Sequence, residues 1–522
     1  MQVDAHASVL SRHRDLVLVV VAAAALFSAN MHHLSLPPLD DCFYARKGVE
    51  MAERGASFTV TWNQHPNHQN PPLQFWILGA SFTLFGENDF AARLPSLLMA
   101  LGILVITYRI GRHVLEREAA AAALGLLCLA PLFVQNARRC MLEVPNSFWI
   151  ALCFLVALES RRHTRLGVLV AVPLAAAGLT KSVLGLLPIP VLAAFALHRE
   201  GRRLLANPWL LAGLFLGIAG TATWPLHQGL TAGWGAVRSH YVGEIGGRAL
   251  EPFSIWEALT EYPKVLLREF QPLAIPGVIG ALVALRCGWQ RANGGRALLG
   301  MWVVLPLVLY SFASTRSARY AFPIFVPLAL LSAGLLVSWR PRATRIATTR
   351  VVPLLLLTLA LLFWFSPKTL SRDQNAAFKR AGRDIERLFP ADTEVPLLGS
   401  FTWRLANPLL YYGHRGVVPL GDAVESVLEM ARELPTPAFI ASRANLERVR
   451  SQGIEVEVLS ELGPWLLLRL EDRQIREAQR RSAVRRSYSL PIATPRTIHI
   501  STSTMFTTAK PWVESRSQFS PR

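Results

Sequence analysis

Two adjacent carboxylates, Asp40 and Asp41, stand in Leu39-Asp40-Asp41-Cys42-Phe43-Tyr44-Ala45, just past the first membrane-length apolar stretch. Neighbouring acids raise each other's pKa, which suits one of them to take a proton from a hydroxyl or amine near neutral pH. The same pair could hold a divalent cation. A third use involves no reaction: Asp40, preceding a helix over 41–54, would cap its free amides.

Cations come next. Lys181 splits a long apolar run into two halves, so its ammonium must snorkel to the surface or pair with an anion. Arg138-Arg139 and Arg319-Tyr320 sit at ends of apolar stretches that the topology below puts on the same side as the acids. A lipid phosphate would supply their counter-charge, and Arg is suited to bidentate phosphate contacts. Glu143, one turn from Arg139, could neutralise it instead. His65 and His68 lie at i, i+3 in a polar segment, as solvated loop histidines or as metal ligands. Pro71-Pro72 breaks the chain before Leu73-Gln74-Phe75-Trp76.

These residues are carried by a mostly apolar chain of 522 residues, 52% hydrophobic and 17% charged, with mean hydropathy +0.32. That excludes one soluble domain and indicates a polytopic α-helical membrane protein. Stretches long enough to span are 15–34, 90–108, 119–136, 145–159, 166–180, 183–197, 208–226, 270–285, 297–313, 319–338 and 349–365, about eleven in all. Leu73 to Phe85 is shorter and carries Gln74, so it is expected to be interfacial or re-entrant. Residues 15–29 read as a retained first helix, with no small-residue cleavage site before the acid pair.

The net charge of +19 invites a nucleic-acid reading, which its distribution contradicts. Arg109, Arg112 and Arg117, then Arg161, Arg162 and Arg165, then Arg199, Arg202 and Arg203 fill alternate loops, and later clusters continue the series. This positive-inside pattern puts residues 1–14 in the cytoplasm as a short lead. Asp40, Arg138, Lys181, the 227–268 segment, Arg319 and everything after 366 then face outward. Within the outer segment 35–89, Tyr44–Arg54 reads as an amphipathic helix lying on the membrane surface. Residues 227–268, rich in Trp, Gly and His, read as a mobile substrate-facing loop.

Composition shifts after Ser366. Asn375–Leu388 has helical period; Val395–Ser400, Ala438–Ser442, Ile454–Leu459 and Trp465–Leu470 read as strands; Leu428–Leu434 and Asn445–Gln452 read as helices. The expectation is a membrane domain over 15–365 and a small extracytoplasmic α/β domain over 366–471. A basic tail without apolar periodicity, expected to be disordered, follows over 472–522. The five cysteines show no CxxC spacing and read as small apolar fillers.

Taken in order, these segments resemble a family. Asp40-Asp41-x-x-Tyr44-Ala45, Asn63-x-x-Pro66-x-x-x-x-Pro71-Pro72-Leu73-x-x-Trp76 and Phe85-Gly86-x-x-x-Phe90-Ala91-Ala92-Arg93-Leu94-Pro95-Ser96 look like the start of bacterial glycosyltransferases of GT-C architecture. The nearest branches are the aminoarabinose-lipid A transferases and protein mannosyltransferase-like enzymes. Arg138 to Pro145, Thr180-Lys181 and Ser314 to Pro327 also fit, so the similarity covers about residues 15–340.

The resemblance implies a mostly α GT-C membrane domain of about 11–13 spans. It also implies transfer of a sugar from a polyprenyl-phosphate donor to a lipid, glycan or protein acceptor, on the outer face of the bacterial cytoplasmic membrane. Asp40 would be the base and Asp41 its helper. Arg93, Arg138, Lys181 and Arg319 would bind the donor phosphate, and Tyr44, Glu143 and Tyr320 would contact substrate. Gln69-Asn70 replaces the Glu-Lys pair of the aminoarabinose branch, and Glu143 replaces an Asp. The family therefore carries over and that branch's substrate does not; a divalent cation remains a candidate cofactor. Against this stands a transporter or flippase of lipid-linked saccharides. Transporters place polar sites near the midplane within paired repeats, and this chain shows no repeat. A lipid-anchored sensor with a binding module is a third class, disfavoured by the ordered motifs of the first half.

Overall fold

A computed structural model describes residues 14–246, 254–290, 294–311, 317–365, 373, 375–391, 393–427, 429 and 437–471. The described residues of each apolar stretch expected to span are mainly helical, with turns at 29–34 and other breaks. Among the described residues, six helical segments are long and apolar enough to cross a membrane: Asp89–Val114, Thr164–Leu186, Pro208–Thr231, Gly294–Ser311, Ala318–Trp339 and Pro341–Phe365. The pair Arg117–Cys128 and Pro131–Ala137, bent by 73°, would make a seventh. The remaining expected spans are shorter helices, among them α1 (Arg14–Ser28) and the 17-residue Glu143–Glu159. The chain is a multi-pass membrane protein whose long and short helices share one apolar core.

Ion pairs mark one end of this bundle. Arg117 meets Asp15 at the start of α1, Arg109 meets Glu159, and Arg161 meets Glu200. The acid pair lies at the opposite end of α1, beyond Ser28. Helix α2 (Asp40–Arg54) begins there, followed by a two-stranded hairpin, β1 (Thr61–Trp62) with β2 (His65–Pro66), and by α3 (Leu73–Phe85).

Two expectations for this outer region change. Helix α2 is packed into protein rather than laid on a surface: Arg46, Lys47 and Glu50 are buried, Arg46 on Glu50 at 3.0 Å and Lys47 on Asn67 and Asn70 at 2.8 and 2.9 Å, while Glu53 and Arg54 at its end stay exposed. The polar face that suggested an interface serves these internal pairs instead. The 227–268 segment is mostly helical rather than a loop, with helices at Trp234–Arg238 and Ile255–Glu269 and a π-helical stretch between. Pro263 sits inside the second of these helices.

Helix α4 (Asp89–Val114) starts on Asn88, whose side chain accepts from the Ala91 amide at 2.9 Å. Helices α5 (Glu143–Glu159), α6 (Ala171–Lys181) and α7 (Pro208–Thr231) follow. The 428–434 helix, apart from Glu429, and the 472–522 tail lie outside the described residues.

The C-terminal region forms a five-stranded mixed sheet in the order β4-β3-β5-β7-β6. Its strands are β3 (Val395–Leu398), β4 (Val417–Gly421), β5 (Ala438–Ser442), β6 (Val456–Leu462) and β7 (Trp465–Leu470). Strand β4 was not expected, because Pro419 reads against a strand; it is tolerated at the sheet edge, where a missing N–H costs no ladder bond. Gly463, at φ +71°, allows the tight turn between β6 and β7. Helix α8 (Ala376–Leu388) packs Phe378, Ala381 and Ile385 into the core beneath the sheet. Helix α9 (Trp403–Tyr412) was also missed, since Pro408 lies inside it.

Candidate functional site

Helix α2 begins on Leu39, a non-glycine residue at φ +118°, with no side-chain cap. That conformation costs roughly 1–3 kcal/mol and persists only where surroundings impose it. Asp40 is therefore not the cap: it is the first helical residue, and both carboxylates reach to other elements.

Three acids meet three cations here. Asp40 Oδ2 accepts from Arg319 Nη1, in the short helix Ala318–Ala321. Asp41, completely buried, accepts from Arg139 Nε at 3.1 and 3.3 Å, Nη2 at 2.5 Å, and the Cys140 amide at 3.0 Å. Glu143, at the start of α5, accepts from Lys181 Nζ at 2.9 Å, at the end of α6. Lys181 also stands 6.0 Å from the Tyr320 ring. Ser182, the residue after Lys181, has φ +52°, so a second unusual backbone conformation adjoins a charged pair.

Burial raises the pKa of Asp40 above the usual carboxylate range, Arg319 opposes that shift, and Glu143 and Asp41 add to it. Tyr44, one turn on, packs against Phe75 and keeps its proton: burial and the nearby Asp40 and Glu143 hold its phenol well above the ordinary value. Asp40 is 13% exposed and Arg319 41%, so Arg319 is the partner accessible to a ligand.

The sequence-derived cations sort differently. Arg93 donates to the carbonyls of Met31, Leu34 and Ser35 at 2.6 to 2.8 Å, and Arg138 to those of Leu26 and Ala29 while stacking 4.7 Å from Phe363. Both guanidinium groups, expected on the donor phosphate, bond instead to carbonyls at the end of α1 and in the chain that follows it. Arg139 is the arginine of that pair that reaches the acids. Its partner is Asp41 rather than Glu143.

His65 is exposed on β2, whereas His68 is half-buried against Gln228, so the two do not converge. Among the described residues no cluster of three or more His, Cys, Asp or Glu is disposed to hold a metal ion. A cation among Asp40, Asp41 and Glu143 would have to displace three ion pairs, so the acids as placed do not fit a metal cage. The cysteines are free; Cys42 and Cys140 share one apolar cluster beside Asp41.

The C-terminal region, with no role assigned from sequence, bonds to residues 35–39, the segment leading into Asp40. Tyr412 accepts from the Leu36 amide at 2.6 Å and donates to Asp89 at 2.8 Å; Lys379 meets Asp89 at 2.6 Å. Asn375 holds the Leu36 carbonyl at 2.7 Å, Asp373 holds Ser35, and Asn407 donates to the Leu39 carbonyl at 3.1 Å. The sheet domain and the acid pair thus lie on one side of the bundle.

The family described as dolichyl-phosphate-mannose-protein mannosyltransferase matches residues 69–227. An undecaprenyl phosphate-alpha-4-amino-4-deoxy-L-arabinose arabinosyl transferase of Pseudomonas fluorescens is 28% identical over 336 residues, 62% of this chain and 59% of that protein. An uncharacterized protein of Aquifex aeolicus is 27% identical over 219 residues, 41% of this chain and 44% of its own. The chain thus spans about half the length of these relatives.

Among solved structures, ArnT from Cupriavidus metallidurans bound to undecaprenyl phosphate superposes with a TM-score of 0.72 at 15% identity, covering 88% of this chain and 99% of that one. The oligosaccharyltransferase AglB from Archaeoglobus fulgidus gives 0.55 at 13% identity, covering 83% and 70%. At these identities the likeness is one of fold, and the fold is GT-C.

Proposed function

We propose that this chain, a member of the GT-C glycosyltransferase superfamily, moves a sugar from a polyprenyl-phosphate donor to a hydroxyl or amine acceptor, with Asp40 as general base. The observation that carries this reading is the pairing of buried Asp40 with exposed Arg319, beside Lys181. A carboxylate and two cations at one membrane boundary are what a displacement with a phosphate leaving group calls for.

Asp40 would take the acceptor proton as the acceptor oxygen or nitrogen attacks the anomeric carbon. The bond from that carbon to the phosphate oxygen breaks, the electron pair leaves with the lipid phosphate, and the anomeric configuration inverts. Arg319 and Lys181 would stabilise the developing phosphate charge. Drawing Arg319 towards the donor phosphate would remove the group that holds the Asp40 pKa down. Donor binding would then make Asp40 a stronger base. Asp41, locked on Arg139, sets the start of α2. Tyr44 and Tyr320 flank the reacting atoms, and the site faces the extracytoplasmic side with the sheet domain.

The test is turnover of radiolabelled polyprenyl-phosphate sugars by purified protein. Transfer that depends on Asp40 supports the reading. Movement of lipid-linked saccharide across vesicles without bond cleavage would support a flippase instead.

A further inference from the structure

We infer that the C-terminal domain is part of the catalytic apparatus, and that Asn407 is a positioning residue holding the backbone from which Asp40 projects. This rests on the proposed role of Asp40.

Residues 31–39 form a strap clamped from both sides. Arg93 of α4 takes three of its carbonyls from the helical bundle. From the other side come Asp373, Asn375 and Tyr412, each bonded to Ser35 or Leu36. The last link is Leu39, whose positive φ sets the direction in which α2 leaves. Its carbonyl accepts two hydrogen bonds: the first of the helix, from the Phe43 amide at 3.0 Å, and one from Asn407 Nδ2 at 3.1 Å.

Asn407 is poorly suited to its surroundings in every other respect. It is 3% exposed in the middle of α9, and its Oδ1 has no hydrogen-bond partner among the described residues. A buried amide with an orphaned oxygen lowers stability relative to an apolar residue of the same size. Its gain is therefore placement of Leu39 rather than stability of the domain. Reacting groups must be held within a fraction of an ångström, and a misplacement of about 1 Å costs about 100-fold in rate. A bond one residue before Asp40 acts directly on that tolerance.

Asn407→Leu separates positioning from folding. The full-length variant should lose about 10- to 100-fold in kcat. Its KM for the polyprenyl-phosphate sugar should stay unchanged, and its unfolding temperature in detergent unchanged or higher. Asn407→Asp, which keeps the shape and loses the donor, should lose kcat in the same range. Deuterium exchange reads the strap without turnover: exchange at the Phe43 amide should rise in both variants. Wild-type exchange at Phe43, wild-type kcat, or a kcat loss matched by a fall in unfolding temperature would each overturn the inference. Raised exchange with a wild-type protein inert towards every donor would leave the clamp standing and refute the transferase reading.

Discussion

Replacing Arg139 by Met would leave the completely buried Asp41 carboxylate facing apolar neighbours. Removing one partner of a buried ion pair costs about 3–5 kcal/mol. Two features lower that figure here. The Arg139 side chain is 29% exposed, so part of its attraction is already screened, and Asp41 keeps the Cys140 amide at 3.0 Å. The expected loss is about 2–3 kcal/mol. Asp41→Asn alone should cost about 1 kcal/mol, and the double variant no more, since a neutral amide can still accept from Cys140. The two changes should therefore be non-additive by about 2 kcal/mol, a factor of about 30 in the folded-to-unfolded ratio. Sodium dodecyl sulfate titration of the detergent-solubilised chain, followed by tryptophan fluorescence, measures all three variants. Costs that add within about 0.5 kcal/mol would refute the pairing, and with it the division of labour between the two acids.

Further expectations concern the cations and the domain junction. A base works deprotonated, so transfer should rise with pH through the raised pKa of Asp40; Arg319→Met, removing the group that opposes the shift, should move that limb to higher pH. A limb that stays put in a pH-rate profile would assign it to another group. Lys181→Met should raise KM for the donor lipid by about ten-fold, as expected for one charged contact, and an unchanged KM would remove Lys181 from the donor site. The Glu87 side chain is still 29% exposed, and its partial withdrawal from water, with Glu53 and Glu386 adding to it and Arg46 opposing, raises its pKa from 4.5 to about 7. The folded chain then holds a proton that the unfolded chain loses above about 4.5, so this contribution to stability is present at low pH and disappears as pH rises through about 7. Glu87→Gln should abolish that decline in pH-dependent thermal unfolding; an unaltered profile would contradict it.

The membrane domain was legible because long apolar helices are a local signal; Asp40 drew attention as an acid in a polar segment between apolar stretches, and Lys181 and Arg319 as charges at the ends of such stretches. The choice between Arg138 and Arg139 was not legible. Adjacent arginines point in different directions, and only the packed structure shows one on carbonyls of α1 and the other on Asp41. Helix α2 misled for a related reason: its polar face is that of a surface helix, the Arg46–Glu50 pair at i, i+4 suits an exposed helix equally well, and nothing in its sequence reveals that Asn67 and Asn70 receive Lys47. Strand β4 and helix α9 were hidden by Pro419 and Pro408, local breakers overridden by an edge position and by packing. The hold of Asn407 on Leu39 spans 368 residues of sequence, a separation at which no pattern reports contact.

The account stands on Asp40 as the base, and Asp40→Asn tests it most directly. Purified wild-type and variant chains, matched for membrane expression and unfolding temperature, would be compared for transfer from a radiolabelled polyprenyl-phosphate sugar. The expected result is a loss of about 10²- to 10⁴-fold, with Asp41→Asn retaining far more activity. Undiminished transfer by Asp40→Asn would contradict the account.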